Sequence, residues 1–249
     1  MSNINGSMEQ LKLDILVLAA HPDDAELGAG ATIAKEVSLG KKVGIIDFTR
    51  GELGTRGTLE TRDRESALAA EILGVSVREN MNFRDGFFVN DENHQLALIQ
   101  KIRKYRPEIV ICNAVSDRHI DHAKGSKLAS DACFLSGLIK IETLDENGKS
   151  QSAWRPAAVY HMIQWADLEP DFVVDVSEHI DQKFEAIKAY ATQFYDPKSG
   201  EPETPISSQN FLESVRYRAQ NLGRLTGVAF GEGFTVERVP LIGRLDALK

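Results

Sequence analysis

The sequence predicts an α/β protein with a Rossmann-like, mostly parallel sheet and helices on both faces. Three observations carry that expectation. Short apolar runs of strand length alternate with segments whose apolar residues recur at helical spacing. The runs are apolar on successive residues, as strands covered on both faces require. Glycine or proline closes several helical segments, and no internal repeat or low-complexity linker breaks the order.

The elements follow in turn. Residues 13–20 form the first strand, and Leu27, Ala31, Ala34 and Val37 then mark a helix that Gly40 stops. Residues 42–48 give a second strand, followed by a glycine-rich loop and a helix over 61–73 that ends at Gly74. Leu98, Ile99 and Ile102 mark a third helix, closed by Pro107. Residues 108–114 supply another buried-type strand and 123–138 a helix, with further strands at 157–163 and 172–176. Two helices close the chain. Ile180, Phe184, Ile187, Ala191 and Phe194 set the rhythm of one; Phe211, Val215, Ala219 and Leu222 set that of the other. Residues 1–12 read as a flexible extension and 13–249 as a single α/β domain. Gly28 and Gly30 read as positions where the first helix packs closely on the sheet.

Composition narrows the partners. The 249 residues are 42% hydrophobic and 27% charged, ordinary for a soluble globular protein. A formal net charge of −8 gives no counterion-release drive toward nucleic acid and no attraction to an anionic membrane. A small molecule is the expected partner. Two cysteines are too few for a disulfide framework, so Cys112 and Cys133 are expected as buried free thiols. No charged-then-apolar leader opens the chain and no apolar stretch reaches membrane-spanning length, so a cytoplasmic location is expected.

Ligands of such sheets sit beyond the carboxyl ends of the strands. After the first strand comes Ala20-His21-Pro22-Asp23-Asp24-Ala25-Glu26. A dinucleotide-binding turn would place bare glycine amides here for a pyrophosphate. Two carboxylates invert that sign, repelling phosphate and attracting a cation, which opposes a nucleotide-binding module. Asp23 or Asp24 also suits a helix cap with Pro22 fixing the entry, and the two roles are compatible.

After the strand at 108–114 comes Asp117-Arg118-His119-Ile120-Asp121-His122. In a parallel sheet both loops leave the same edge, bringing three of the six histidines together. Alone, this second loop reads rather as a polar helix start with exposed imidazoles, capped by Asp121. Together the loops offer an imidazole–carboxylate–imidazole set, which suits catalytic zinc with one position open.

These two loops resemble the A-H-P-D-D-E and H-P-D-H signatures of the PIG-L-like (LmbE-like) zinc N-acetylglucosamine deacetylases, and the likeness runs from about residue 13 to 241. Residues 49–58, Thr-Arg-Gly-Glu-Leu-Gly-Thr-Arg-Gly-Thr, and Gly231-Glu232-Gly233-Phe234 look most like the branch that deacetylates N-acetylglucosaminyl malate in bacillithiol biosynthesis. The resemblance implies His21, Asp24 and His122 as zinc ligands, Asp23 as general base and His119 as the group that stabilises the oxyanion. It also implies homo-oligomers. Two positions depart from the pattern: Ala25 precedes Glu26, and Ile120 stands where the family has proline.

The remaining candidates are weighed by chemistry. A protonated His119 would meet the developing charge, and Asp121 either orients that imidazole or caps the helix. Either Asp23 or His119 could protonate the leaving amine. The fork of Arg56 suits a substrate carboxylate, and Arg50 competes for that role. Asp85 either accepts hydrogen bonds from sugar hydroxyls or shapes a turn before Gly86. His161 reads as a core histidine, His94 and His179 as surface residues, and 195–208 as a packing or lid loop. Imidazole and carboxylate accept zinc and ferrous iron alike. A chitooligosaccharide or another acetylated amine is the alternative substrate.

Overall fold

The first strand explains the layering. All five residues of β1 (Ile15–Ala19) are buried. Their side chains alternate between two cores, Ile15, Val17 and Ala19 entering one, Leu16 and Leu18 the other. β2 (Val43–Asp47) repeats the pattern, with Val43 and Ile45 in the first core and Ile46 in the second. Strands apolar on both faces require a layer of helices on each side.

In this computed structural model, which describes residues 11–247, seven strands form one sheet in the order β3-β2-β1-β4-β5-β7-β6. The others are β3 (Val77–Asn80), β4 (Ile109–Cys112), β5 (Ala158–Met162), β6 (Phe172–Asp175) and β7 (Gly231–Val236). Strands β1 to β5 pair in parallel, while β7 runs antiparallel between β5 and β6. Helices α1 (Asp24–Ser38), α2 (Leu59–Leu73), α5 (Ile180–Lys188) and α6 (Gln209–Thr226) feed the first core. α3 (Glu92–Tyr105) and α4 (Ile120–Ser136) feed the second. The predicted fold class stands. Residues 1–10 of the expected extension lie outside the described residues.

Local chemistry sets several boundaries. Thr58 and Thr61 form a capping box at the start of α2, and Gly74 ends it in the left-handed conformation with φ 71°. α3 ends at Tyr105 with Arg106 at φ 49°, just before Pro107. α4 begins at Ile120, three residues earlier than expected, because His119 and not Asp121 accepts the capping hydrogen bond. α5 stops at Lys188; Tyr190 and Phe194 stay buried in the turns that follow, so the apolar rhythm outlasts the helix. β3 and β7 escaped the sequence pattern. β3 is Val-Arg-Glu-Asn at the sheet edge, and β7 carries two glycines and a buried Glu232.

Cys112 and Cys133 are free and buried, as expected. Among the described residues no helix is long and apolar enough to cross a membrane. α1 lies close to its neighbours, as its glycines suggested. A Cβ at Gly28 would sit 2.5 Å from Met162 Sδ on β5, and one at Gly30 would sit 3.1 Å from Lys183 Cγ on α5. In an open helix Gly→Ala stabilises by about 0.5–1 kcal/mol. Here Gly28→Ala should instead cost about 1–3 kcal/mol through overpacking. A thermal unfolding scan should give a lowered midpoint, and a raised one would contradict this packing.

Candidate functional site

Four strand-to-helix loops and the loop between β5 and β6 converge on a cavity of about 560 Å³ at the carboxyl edge of the sheet. The loops after β1 and β4 bring His21, Asp23, Asp24, His119 and His122 to its wall, and the loop after β3 brings Asp85. The sequence placed the first two loops correctly. Their three imidazoles lie with ring centroids 4.6 to 5.7 Å apart.

Asp24 sits at the centre. Its Oδ1 lies 3.0 Å from His122 Nε2, and its Oδ2 lies 3.3 Å from His21 Nδ1. Asn113 Nδ2 and the His21 amide donate to Oδ2, and Gln164 Nε2 donates to Oδ1, each at 3.0 Å. Burial alone would raise its pKa, but His122 and His21 hold it well below the usual carboxylate range.

Each neighbouring imidazole is held from behind. His122 Nδ1 contacts Asp117, whose other oxygen accepts the Ala166 amide at 2.7 Å. His21 Nε2 faces Asp85 at 3.1 Å and Asp121 at 3.4 Å. Burial opposes charge on both rings. It is overcome at His21 by hydrogen bonds to Asp121, Asp24 and Asp85, which keep the pKa well above the ordinary value. At His122, Asp24 and Asp117 carry it up to about 9.

Imidazole and carboxylate donors of this kind suit a divalent cation. Among the described residues, donor atoms of His21, His119 and His122 lie within 4.8 Å of one another, as do those of His21, Asp85 and Asp121, while Asp24 reaches His21 and His122 through different oxygens. One nitrogen of each ring faces Asp24 while the other is engaged by a carboxylate, the arrangement that fixes the tautomer of a metal-binding histidine.

Asp23 differs from its neighbour. It precedes α1 at φ 111° and makes no capping hydrogen bond with its side chain, so the carboxylate is not used by the helix. Arg62 clamps this strained turn, donating Nη1 to Asp23 Oδ2 at 3.3 Å and Nη2 to the Pro22 carbonyl at 2.8 Å. Burial pushes the Asp23 carboxyl up to about 7, with Asp24 and Glu26 adding to the rise while Arg62 and His21 oppose it.

Other expectations are corrected. Asp121 does not orient His119. Its carboxylate accepts from the Gly86 amide and Lys124 and faces His21. Against burial, hydrogen bonds from His21 and Lys124 hold its pKa below the carboxylate range. His119 caps α4, its Nδ1 accepting the Asp121 amide at 3.3 Å, which leaves the ring proton on Nε2. Burial, His21 and His122 lower its pKa, which opposes the protonated imidazole expected.

Arg56 and Arg50 do not line the cavity. Arg56 is buried and spends its fork on Phe194 O, Ser199 Oγ and Glu201 O, tying down the loop after α5. Arg50 pairs with Asp63 on α2. Asp85 does line the cavity, with its carboxylate held by His21 and the Leu53 amide.

The sequence reading missed Arg62, Asp117, Asn113 and Gln164. Asn113 and Gln164 follow β4 and β5 at the carboxyl edge, which was signal enough to find them. It also missed the buried trio beneath the site, where Arg78 from β3 pairs with Glu26 at 2.5 Å and with Asp47 at 2.8 Å. Glu26 is thus engaged away from the cation site.

Comparison with known proteins agrees with the geometry. Residues 16–133 match the family model described as PIG-L, GlcNAc-PI de-N-acetylase. An uncharacterized deacetylase of Escherichia coli is 34% identical over 48% of this chain and 67% of its own length. The diacetylchitobiose deacetylase of Thermococcus kodakarensis is 27% identical over 72% of this chain and 70% of its own. The crystal structure of a conserved protein from Thermus thermophilus superposes with a TM-score of 0.81 at 34% identity, covering 93% of this chain and 98% of that one.

The backing of His122 has a measurable consequence. Asp117→Asn is expected to weaken metal affinity by about 10–100-fold while leaving the fold intact. Titration against a chromogenic chelator measures it, and an unchanged affinity would show that Asp117 serves the loop alone.

Proposed function

This chain belongs to the PIG-L family, and on that premise we propose that it is a zinc hydrolase releasing acetate from an N-acetylglucosamine conjugate, with N-acetylglucosaminyl malate its best candidate substrate. Family membership makes it a metal-dependent de-N-acetylase. One observation carries the catalytic reading: two carboxylate-backed imidazoles facing the two oxygens of Asp24, beside an Asp23 whose pKa stands near 7.

His21, Asp24 and His122 would hold the zinc, which when bound polarises an acetyl carbonyl and acidifies water toward neutral pH. Asp23 takes the water proton at its carboxylate, and a pKa of about 7 suits that task at physiological pH. Arg62 holds Asp23 in place. His119, with its proton on Nε2, donates to the acetyl oxygen as negative charge develops there. The departing amine needs one proton, and Asp23 carries the one it has just accepted.

The malate reading rests on an exposed guanidinium at the cavity wall. Arg118 lines the wall with its fork 4.5 Å over the Trp165 ring, and among the described residues no carboxylate pairs with it. It takes over the substrate-binding role first assigned to Arg56 and Arg50. A conjugate bearing a carboxylate satisfies that charge, whereas a chitooligosaccharide does not. Self-association and a cytoplasmic location belong to the same proposal.

Metal analysis of protein purified without chelator should find zinc, with ferrous iron the competing outcome for these donors. His122→Ala should lose both metal and activity. Asp23→Asn should keep its metal and lose about 10²–10⁴ in kcat; retained turnover in Asp23→Asn would remove the proposed base. Arg118→Ala should raise KM for N-acetylglucosaminyl malate by about 10–100-fold, the worth of a charge-assisted hydrogen bond, and leave N,N′-diacetylchitobiose unaffected. Equal losses on both substrates would argue against the malate reading.

A further inference from the structure

α1 is a broken helix. Ala29 stands at φ −140° and ψ 15°, so the run Asp24–Ser38 consists of two helical pieces meeting at Gly28-Ala29-Gly30. Such a break leaves amides without partners at the start of the second piece and carbonyls without partners at the end of the first. Two side chains from the C-terminal half supply both sets. The amides of Ala31 and Thr32 donate to the two oxygens of Glu232 on β7, at 3.2 and 2.7 Å. The Leu27 carbonyl accepts from Lys183 Nζ on α5 at 2.8 Å.

Glu232 and Lys183 also pair with each other at 2.6 Å, each only 3% exposed. The carboxylate thus meets the positive end of one helical piece and the ammonium meets the negative end of the other. A continuous helix would need neither charge, and burying two charges is costly unless they are paired and hydrogen-bonded. Neither side chain lines the cavity. What they hold is the short first piece of α1. That piece begins with Asp24, and the Leu27 amide returns to the Asp23 carbonyl at 2.9 Å. Leu27 therefore links the two: its carbonyl is held by the ion pair and its amide holds the turn of Asp23.

We propose that Lys183 and Glu232 are positioning residues, an ion pair wedged into the break in α1 that sets the direction in which Asp23 and Asp24 present their carboxylates to the cation. This rests on the zinc-hydrolase reading above. The motif Gly231-Glu232-Gly233-Phe234 thereby acquires a role: its glutamate acts through the helix and not on the substrate.

The test is the double variant Lys183→Met/Glu232→Gln, which removes both charges at similar volume and, like many replacements of buried pairs, is expected to fold. Its thermal midpoint should stay close to the wild type. Its zinc affinity should fall about tenfold or more, in the range seen when support behind metal ligands is removed. The visible spectrum of the cobalt-substituted protein should shift, and kcat should fall with KM little changed. Wild-type affinity and an unshifted cobalt spectrum in the double variant would overturn the proposal. Glu232→Asp, which keeps the charge but draws it back from Ala31 and Thr32, is the second variant if the first does not fold; it too must shift the spectrum, and an unshifted one overturns the proposal. A wild-type protein that holds no metal would instead overturn the zinc-hydrolase reading, and the wedge with it.

Discussion

Burying Asp23, Asp24, Asp85, Asp117 and Asp121 around one end of a sheet is tolerable only if positive charge stands among them. Most of the site's geometry follows from that constraint. His21 and His122 each lie between carboxylates, Arg62 leans on Asp23, and Lys124 leans on Asp121. On the zinc-hydrolase proposal, a bound cation would complete the balance and turn the two imidazoles from proton carriers into ligands. The same accumulation explains why adjacent residues of one type differ. Asp24 faces two imidazoles and is held ionised, whereas the desolvated Asp23 is pushed toward neutrality at the pH where a base is useful.

The support beneath the site is equally charged. Arg78 joins Glu26 on α1 to Asp47 on β2 with all three side chains mostly buried, locking the first helix to the sheet. Arg56 performs a similar task at the rim by holding the segment after α5. Both arginines make hydrogen bonds that a lysine could not match, since a planar fork reaches several acceptors at once.

How much of this was legible depended on range. The apolar runs announced β1, β2, β4 and β5 because their residues face two cores at once, and β6 although it meets only the first. β3 and β7 were hidden because their residues serve charge networks and close packing, leaving no apolar pattern to read. The loops after β1 and β4 could be paired from sequence because a parallel sheet sends both to one edge. Arg56 could not be separated from Arg62 on those grounds. Both follow β2, and only the path of the loop decides that Arg62 turns toward Asp23 while Arg56 turns toward Ser199. The capping role of His119 was likewise invisible, since histidine is an uncommon cap and Asp121 was the more usual choice.

The cavity wall draws on two stretches of chain with different duties. The groups that would handle the amide, from His21 to His122, all come from the first half, while Trp165, Ile206, Phe211 and Val215 from the second half shape the remaining surface. A catalytic centre and most of a specificity surface encoded apart can drift at different rates, with Arg118 of the first half the exception. Substitutions along α6 and the segment before it would redraw the outline of the guest molecule while the bond-breaking apparatus stays as it was.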